Sequence, residues 1–456
     1  MKHIKLLLLF IIVTFSCNNK NDEIIIAGHV KDSTVTVAKL HLQDTMISDN
    51  LTEGNFKFII SSKYEGYMNL ELSENIELFA NEGDSLYLDV NDKGLIFLSG
   101  LGHEEFLYLL EKKFYAKQMG IDDPRTIDAE TYSSDLEIFN AKIDSIRHVQ
   151  TELMGQFIKD YSNMNKFFIE KEQKRIQYFW MKQKFSYPEI HKMLTHNEVK
   201  LPEDYYSFAE NIDFNDSVLL PFDEYQSCLK GLLEWKTKDL SEKDLSLRLN
   251  AKYSLCKELT NSKKIVETIC FQLLRHHIIF NGIEGIDSSF NDYLNLTYNV
   301  DYTNELNRQY KAWEHLKSGK KAPEFELADV TGKKVKLSDF LGKTVYIDCW
   351  STKCGKCISE MPAMKQLVNE MKSNDKVVFI TIASDSDIDK WKAKLHEFKI
   401  NSINLCTGEN YGKFNIDYNA KAMPRYILID KHGKLVDIIA KKPSEISEKL
   451  KKISKI

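Results

Sequence analysis

No stretch of this 456-residue chain is long and apolar enough to cross a bilayer, since a helical span needs about 20 apolar residues. A second close cysteine pair is also missing, which excludes a zinc ribbon. The eight cysteines are spaced too widely for a disulfide scaffold. The aromatic residues are not interleaved with a basic stripe, so no nucleic-acid partner is expected. Internal repeats are not visible. Glycine and proline are rare between residues 101 and 315, which leaves long helices as the natural reading there.

What is present points to several domains. A chain of 456 residues exceeds a single hydrophobic core, and 43% hydrophobic with 28% charged residues fits a globular protein. The net charge of −5 is unevenly spread. Residues 317–456 hold 27 basic and 18 acidic side chains, a net +9 that leaves −14 for the remainder. At the N-terminus, Lys2 and Lys5 precede a short apolar run, Leu6–Val13, which reads as an export signal over residues 1–17. It ends at Thr14-Phe15-Ser16-Cys17, which resembles a bacterial lipobox. That resemblance implies a lipid anchor on Cys17, hence a lipoprotein of the cell envelope, periplasmic or outer-membrane-associated. Thr14 stands where the lipobox usually has Leu, and Phe15 is bulky for its position.

Residues 22–100 read as a small antiparallel β-sandwich. The strand-like runs are Ile24–Val30, Thr34–Leu42, Asn55–Ile60, Tyr67–Leu72, Ile76–Ala80 and Ser85–Val90, punctuated by Gly, Asn and Asp. Residues 101–315 read as an all-helical region of about eight helices. Phe106, Leu109, Leu110 and Phe114 recur at helical spacing, as do Leu136, Phe139, Ile143 and Ile146. No motif in this region names a chemistry, and His276-His277 reads as packing or surface.

Residues 317–456 read as an α/β domain. A hairpin, Phe325–Leu327 with Lys334–Leu337, precedes a central strand, Val345–Trp350. Ile358, Met361, Met364, Leu367, Val368 and Met371 then form one helical stripe. Val377–Ile382 is a strand, Asp387–Phe398 a helix, Tyr426–Asp430 with Leu435–Ile439 a hairpin, and Ser444–Ile453 a final helix. Cys354-Gly355-Lys356-Cys357 follows the central strand directly. Two cysteines at this spacing share one helix N-terminus, where backbone N–H groups and the helix dipole stabilise a thiolate on the first sulfur. The second sulfur, one turn on, can close a reversible disulfide. Lys353 and Lys356 add positive charge beside Cys354, which favours thiolate further. Cys349 and the other scattered cysteines read as small buried hydrophobes.

The run "APEFELADVTGKKVKLSDFLGKTVYIDCWSTKCGKC", followed by "EMP" and "AMPRYILIDKHGK", resembles the membrane-anchored thioredoxin-like proteins of the TlpA type. The likeness spans Lys317 to the end. It rests on four features in order: the strand before C-x-x-C, Asp348 six positions before Cys354, Pro362 eight after it, and Met423-Pro424 before a strand. An extra helix and strand between the active-site helix and the proline is a mark of that branch. "EGNFKF" and "ANEGDSLYL" are similar to the β domain found in front of extracytoplasmic thioredoxins.

The resemblance implies a fold and roles. Cys354 is the attacking thiolate and Cys357 the resolving thiol. Asp348 stands where thioredoxins keep a buried acid, a proton acceptor for Cys357 if its pKa is raised. Glu360 matches an acid that recurs near the dithiol. Pro424, in cis, presents the Met423 backbone to a substrate strand, and Trp350, beside the site, is expected to contact the substrate as well. The pair is Gly355-Lys356 rather than the common Gly-Pro, and Lys353 replaces the usual Trp. Stabilised thiolate makes the couple more oxidising than the ~−270 mV of thioredoxin. The expected partners are protein thiols or disulfides and an upstream thiol–disulfide electron carrier. No metal or cofactor is expected, and the branch favours reduction. Two competing readings remain at this level. A thiol peroxidase shares the "APEF" opening but wants Pro and Thr ahead of its Cys, where Ile347 and Ser351 stand. A binding or assembly lipoprotein would use the domain as a scaffold, which the intact C-x-x-C argues against.

Overall fold

The computed structural model describes the chain apart from residues 1–22, 43–44, 62–63, 92–95, 119–126, 241–243, 386, 409–410, 421 and 455–456. Cys17 and the expected leader lie outside the described residues. The chain divides into two compact units that meet in sequence at Trp235 and Lys236.

The first unit begins with eight strands: β1 (Ile24–Val30), β2 (Val37–His41), β3 (Met46–Asn50), β4 (Asn55–Ile60), β5 (Gly66–Glu71), β6 (Asn75–Ala80), β7 (Ser85–Val90) and β8 (Ile96–Leu101). They form two four-stranded sheets, ordered β4-β1-β7-β8 and β3-β2-β5-β6. The alternation of a half-buried strand decides which side chains meet. Ile24, Ile26, Phe56 and Leu88 of one sheet share a core with Leu40, Met68, Leu70 and Leu78 of the other. Strand pairing is antiparallel except that β1 runs parallel to β7, which departs from the wholly antiparallel expectation. The strand β3 escapes sequence reading because it has no fully buried side chain.

Helices α1 (His103–Gln118), α2 (Ala129–Ser133), α3 (Leu136–Asp160), α4 (Lys166–Thr195) and α5 (Asp223–Lys236) follow. Phe139, Ile143 and Ile146 of α3 bury against Phe179 and Tyr187 of α4. Phe114, expected on the apolar stripe of α1, is instead 51% exposed, while the buried face of the helix runs on to Ala116. Aromatic edges tie sheet to helices: Tyr67 and Phe79 pack with Tyr108 and Phe168.

The second unit opens with α6 (Leu245–Leu259), α7 (Lys263–Asn281), α8 (Asp287–Leu296) and α9 (Val300–Glu314). The helical stretch that the sequence presents as one region is therefore split between the two units. A seven-stranded sheet follows, made of β9 (Glu326–Asp329), β10 (Lys334–Lys336), β11 (Thr344–Trp350), β12 (Val377–Ala383), β13 (Ile403–Cys406), β14 (Arg425–Ile429) and β15 (Leu435–Asp437). Its order is β10-β9-β13-β12-β11-β14-β15. Helices α10 (Gly355–Glu370), α11 (Ile388–Phe398), α12 (Tyr411–Asp417) and α13 (Pro443–Ile453) complete it.

Every residue of β11 is buried, as a strand flanked by neighbours on both edges and layers on both faces requires. It runs parallel to β12 and antiparallel to β14. Met361, Met364, Leu367 and Val368 of α10 join Tyr346, Trp350, Tyr426 and Leu428 of the sheet in one core. The preceding helices are tied to this fold by backbone acceptors. His315 Nε2 lies 2.9 Å from the Asp417 carbonyl. The Ser318 hydroxyl donates to the Val436 carbonyl at 3.1 Å.

Candidate active site

The strand β11 delivers the chain to a tight turn, and Cys354 is the N-cap of α10. Its backbone is extended, and its carbonyl accepts the first helical bond, from the Ile358 N–H at 3.0 Å. The sulfur occupies the place of a capping oxygen: Cys354 Sγ accepts from the Cys357 N–H at 3.2 Å. The helix N-terminus thus points a donor at the sulfur, and its dipole favours negative charge there. Cys354 is half-buried, whereas Cys357 is 1% exposed. The two are joined as a disulfide with Cα atoms 5.2 Å apart. An attacking reagent can reach Cys354 and is shielded from Cys357.

The turn before the dithiol is held by a residue that sequence reading missed. Asp385, buried just after β12, accepts from the Thr352 N–H and from its hydroxyl, each at 2.9 Å. The Ser351 hydroxyl reaches the same carboxylate at 3.2 Å. One aspartate therefore fixes Ser351 and Thr352, and the Cys354 N–H closes the turn on the Ser351 carbonyl at 3.0 Å. A polar residue just past the C-terminal end of a strand next to the central one was the available signal. Lys353 and Lys356 flank Cys354 and are exposed.

Asp348 sits on the α10 face of β11, 1% exposed, opposite Tyr426 of β14. Its Oδ1 has no hydrogen-bond partner, nor do the Tyr426 hydroxyl and the Trp350 indole N–H. Burial, and secondarily the negative charge of Glu360, push its pKa up to about 8. Glu360, on α10, is partly exposed and clamped from α13 and its lead-in: Lys442 Nζ donates at 3.1 Å and the Ser444 hydroxyl at 3.3 Å. The Lys442 contact joins residues 82 apart and was not readable from sequence.

Trp350 corrects the expectation of a substrate contact. It is fully buried, packs in the core with Cys357 and Met361, and meets the Phe398 ring edge-on at 5.8 Å. Its position in an interior strand gives it no surface to offer. The Met423–Pro424 peptide is cis, and Met423 packs, half-buried, on the same core as Cys354.

A half-exposed sulfur at a helix cap, a buried partner one turn later and a buried acid of raised pKa suit dithiol–disulfide exchange. The Redoxin family model matches residues 317–453. The thiol-disulfide oxidoreductase ResA of Bacillus thuringiensis is 33% identical over 144 residues, covering 31% of this chain and 81% of that protein. The chain belongs to the thiol-disulfide oxidoreductases of the thioredoxin-like redoxin family. ResA of Bacillus subtilis is 29% identical over 135 residues, 29% of this chain and 73% of that protein. Among solved structures, the thioredoxin domain of a thiol-disulfide oxidoreductase from Bacteroides vulgatus is 25% identical, with TM-score 0.28, covering 30% of this chain and 96% of that one. For an oxidoreductase of this family, the matched segment holds both cysteines, Asp348, Glu360 and the Met423–Pro424 turn.

Proposed function

We propose that this protein is an exported, lipid-anchored oxidoreductase of the cell envelope that reduces disulfides of protein substrates. The reading is carried by one observation: Cys354 is reachable at a helix cap while Cys357 is buried one turn behind it. In the reduced enzyme, the Cys354 thiolate attacks a substrate disulfide. A mixed disulfide forms and one substrate thiolate leaves. Cys357 then attacks the Cys354 sulfur, releasing the second substrate thiolate and closing Cys354–Cys357. An upstream dithiol carrier restores the reduced form by the reverse exchange. Asp348, buried and with a raised pKa, is the proton acceptor for Cys357. Glu360 tunes Asp348 by its charge, and the Met423–Pro424 turn offers backbone to the substrate strand. Location rests on the leader and the lipobox-like Cys17.

The test is a pair of variants. Cys357→Ser accumulates mixed disulfides through Cys354, while Cys354→Ser accumulates none. If Cys357 proves the readily alkylated thiol and Cys354 inert, the roles are assigned the wrong way round. Mass spectrometry of detergent-extracted protein checks the anchor: a diacylglycerol-type mass on the peptide that begins at Cys17 is expected. An unmodified N-terminus at another residue would refute it.

A further inference from the structure

Arg425 follows Pro424 directly and begins β14. Successive side chains of a strand point to opposite faces. Tyr426 enters the core beneath α10, so Arg425 points to the other face. There its guanidinium donates to the carbonyls of Ile279 at 3.2 Å and Phe280 at 3.3 Å. Both belong to the last turn of α7, where carbonyls have no partner within the helix and the dipole end is negative. The Trp313 ring of α9 covers the guanidinium, 5.1 Å from the ring centroid. Arg425 is 3% exposed, and no ion pair to it occurs among the described residues. The charge is compensated by a helix end and an aromatic face, both supplied by the helices that precede the thioredoxin-like fold.

We propose that Arg425 is a positioning residue for thiol–disulfide exchange: it fastens the Met423–Pro424 turn to the C-terminal end of α7, so the helical segment helps set the surface that receives a substrate strand. This rests on the reading of that turn given above. The fork of the guanidinium suits the task, because two donors on two successive carbonyls fix an orientation as well as a distance. The helices α6–α9 thereby acquire a role in the reaction without contributing a group to the dithiol.

The pre-reduced enzyme is compared with two oxidants, insulin as a protein disulfide and a small aromatic disulfide that needs no strand pairing. Arg425→Met lowers the single-turnover rate with insulin about tenfold and leaves the small-disulfide rate within twofold. Arg425→Lys, whose cation can still reach a carbonyl, returns the insulin rate to within about threefold of the parent. Trp313→Leu, which touches the guanidinium only from the helix side, gives a smaller loss confined to insulin, and serves if Arg425→Met does not fold. Equal losses with both oxidants, no loss with either, or no recovery in Arg425→Lys would overturn the proposal. Hydrogen exchange of the peptide carrying Met423 reads the fastening without reference to turnover, and should quicken in Arg425→Met. Absence of Cys354-dependent exchange in the parent protein would sink the functional reading, and the hydrogen-exchange arm would still decide whether Arg425 holds the turn.

Discussion

Two buried carboxylates, one in each unit, stand in opposite environments. Glu172 on α4 is fully buried and fully paired. Arg175 donates to it at 2.6 Å, Lys112 at 2.7 Å and the Tyr67 hydroxyl at 2.9 Å. Arg175 also spans Glu77 at 2.8 Å and Glu224 at 2.9 Å. Asp348 on β11 is equally buried, but its Oδ1 has no partner. Burial pushes both acids toward the neutral form. For Glu172, Arg175 and Lys112 overcome it and hold the pKa below the ordinary range. For Asp348 nothing opposes it, and the negative charge of Glu360 adds to it. Partners rather than depth decide the charge state. The paired acid is architecture. The unpaired one can take and give a proton near neutral pH.

Breaking the paired acid should have the largest effect. Glu172→Ala leaves Arg175 and Lys112 facing a void, and a loss of about 3–5 kcal/mol in urea unfolding is expected. Because the folded pKa lies below the unfolded one, this stabilisation is present above pH ~4.5 and fades as pH falls below it. A variant as stable as the parent at pH 7 would show the network to be idle.

Asp348→Asn tests the other side. Between the unfolded pKa of 3.8 and the folded value of about 8, the folded protein holds a proton that the unfolded chain has lost. Stability therefore falls as pH rises through that window, by ~1.4 kcal/mol per pH unit at most. The variant should gain about 2–4 kcal/mol at pH 7 and nothing near pH 3. It should also slow the closing of Cys354–Cys357 by roughly a hundredfold, the lower end of the range for general-base catalysis. Unchanged closure rates would remove Asp348 from the reaction.

Smaller shifts follow from charges around the dithiol. Replacing Lys353 and Lys356 by glutamine should raise the pH midpoint of Cys354 alkylation by about half to one unit. The couple should become more reducing by ~10–20 mV, measured against glutathione. If both stay put, the helix dipole alone sets the thiolate. The smallest change is expected from Lys442→Ala. It strips the cation from Glu360, so more negative charge reaches Asp348 and the pH profile of disulfide closure moves up by a few tenths of a unit. A downward shift would contradict the assigned sign.

The dithiol and its acid were legible because their chemistry is local in sequence. The cap, the two sulfurs and Asp348 lie within ten residues on one strand and one helix turn, and the apolar stripe of α10 announces the core it covers. The short strands β3 and β13 were not legible: neither carries the sustained apolar alternation that marks a buried strand. Trp350 was misjudged because composition cannot tell which face of a central strand is closed.

By itself, the sequence determined the spacing of the two thiols, the strand that carries them and the helix that caps them, since hydrogen-bonding and periodicity act over a few residues. Only the tertiary structure decided which polar groups far apart in sequence meet. Asp385 reaches Thr352 across 33 residues, Lys442 reaches Glu360 across 82, and Arg425 reaches the end of α7 across 145. The same is true of the solvation that separates Asp348 from Glu172. Asp348 is a lone acid in an apolar run and Glu172 one of several charges in Glu170–Arg175, yet both end up buried, and their opposite pKa shifts arise from what the folded chain brings, or fails to bring, within 3 Å of the carboxylate.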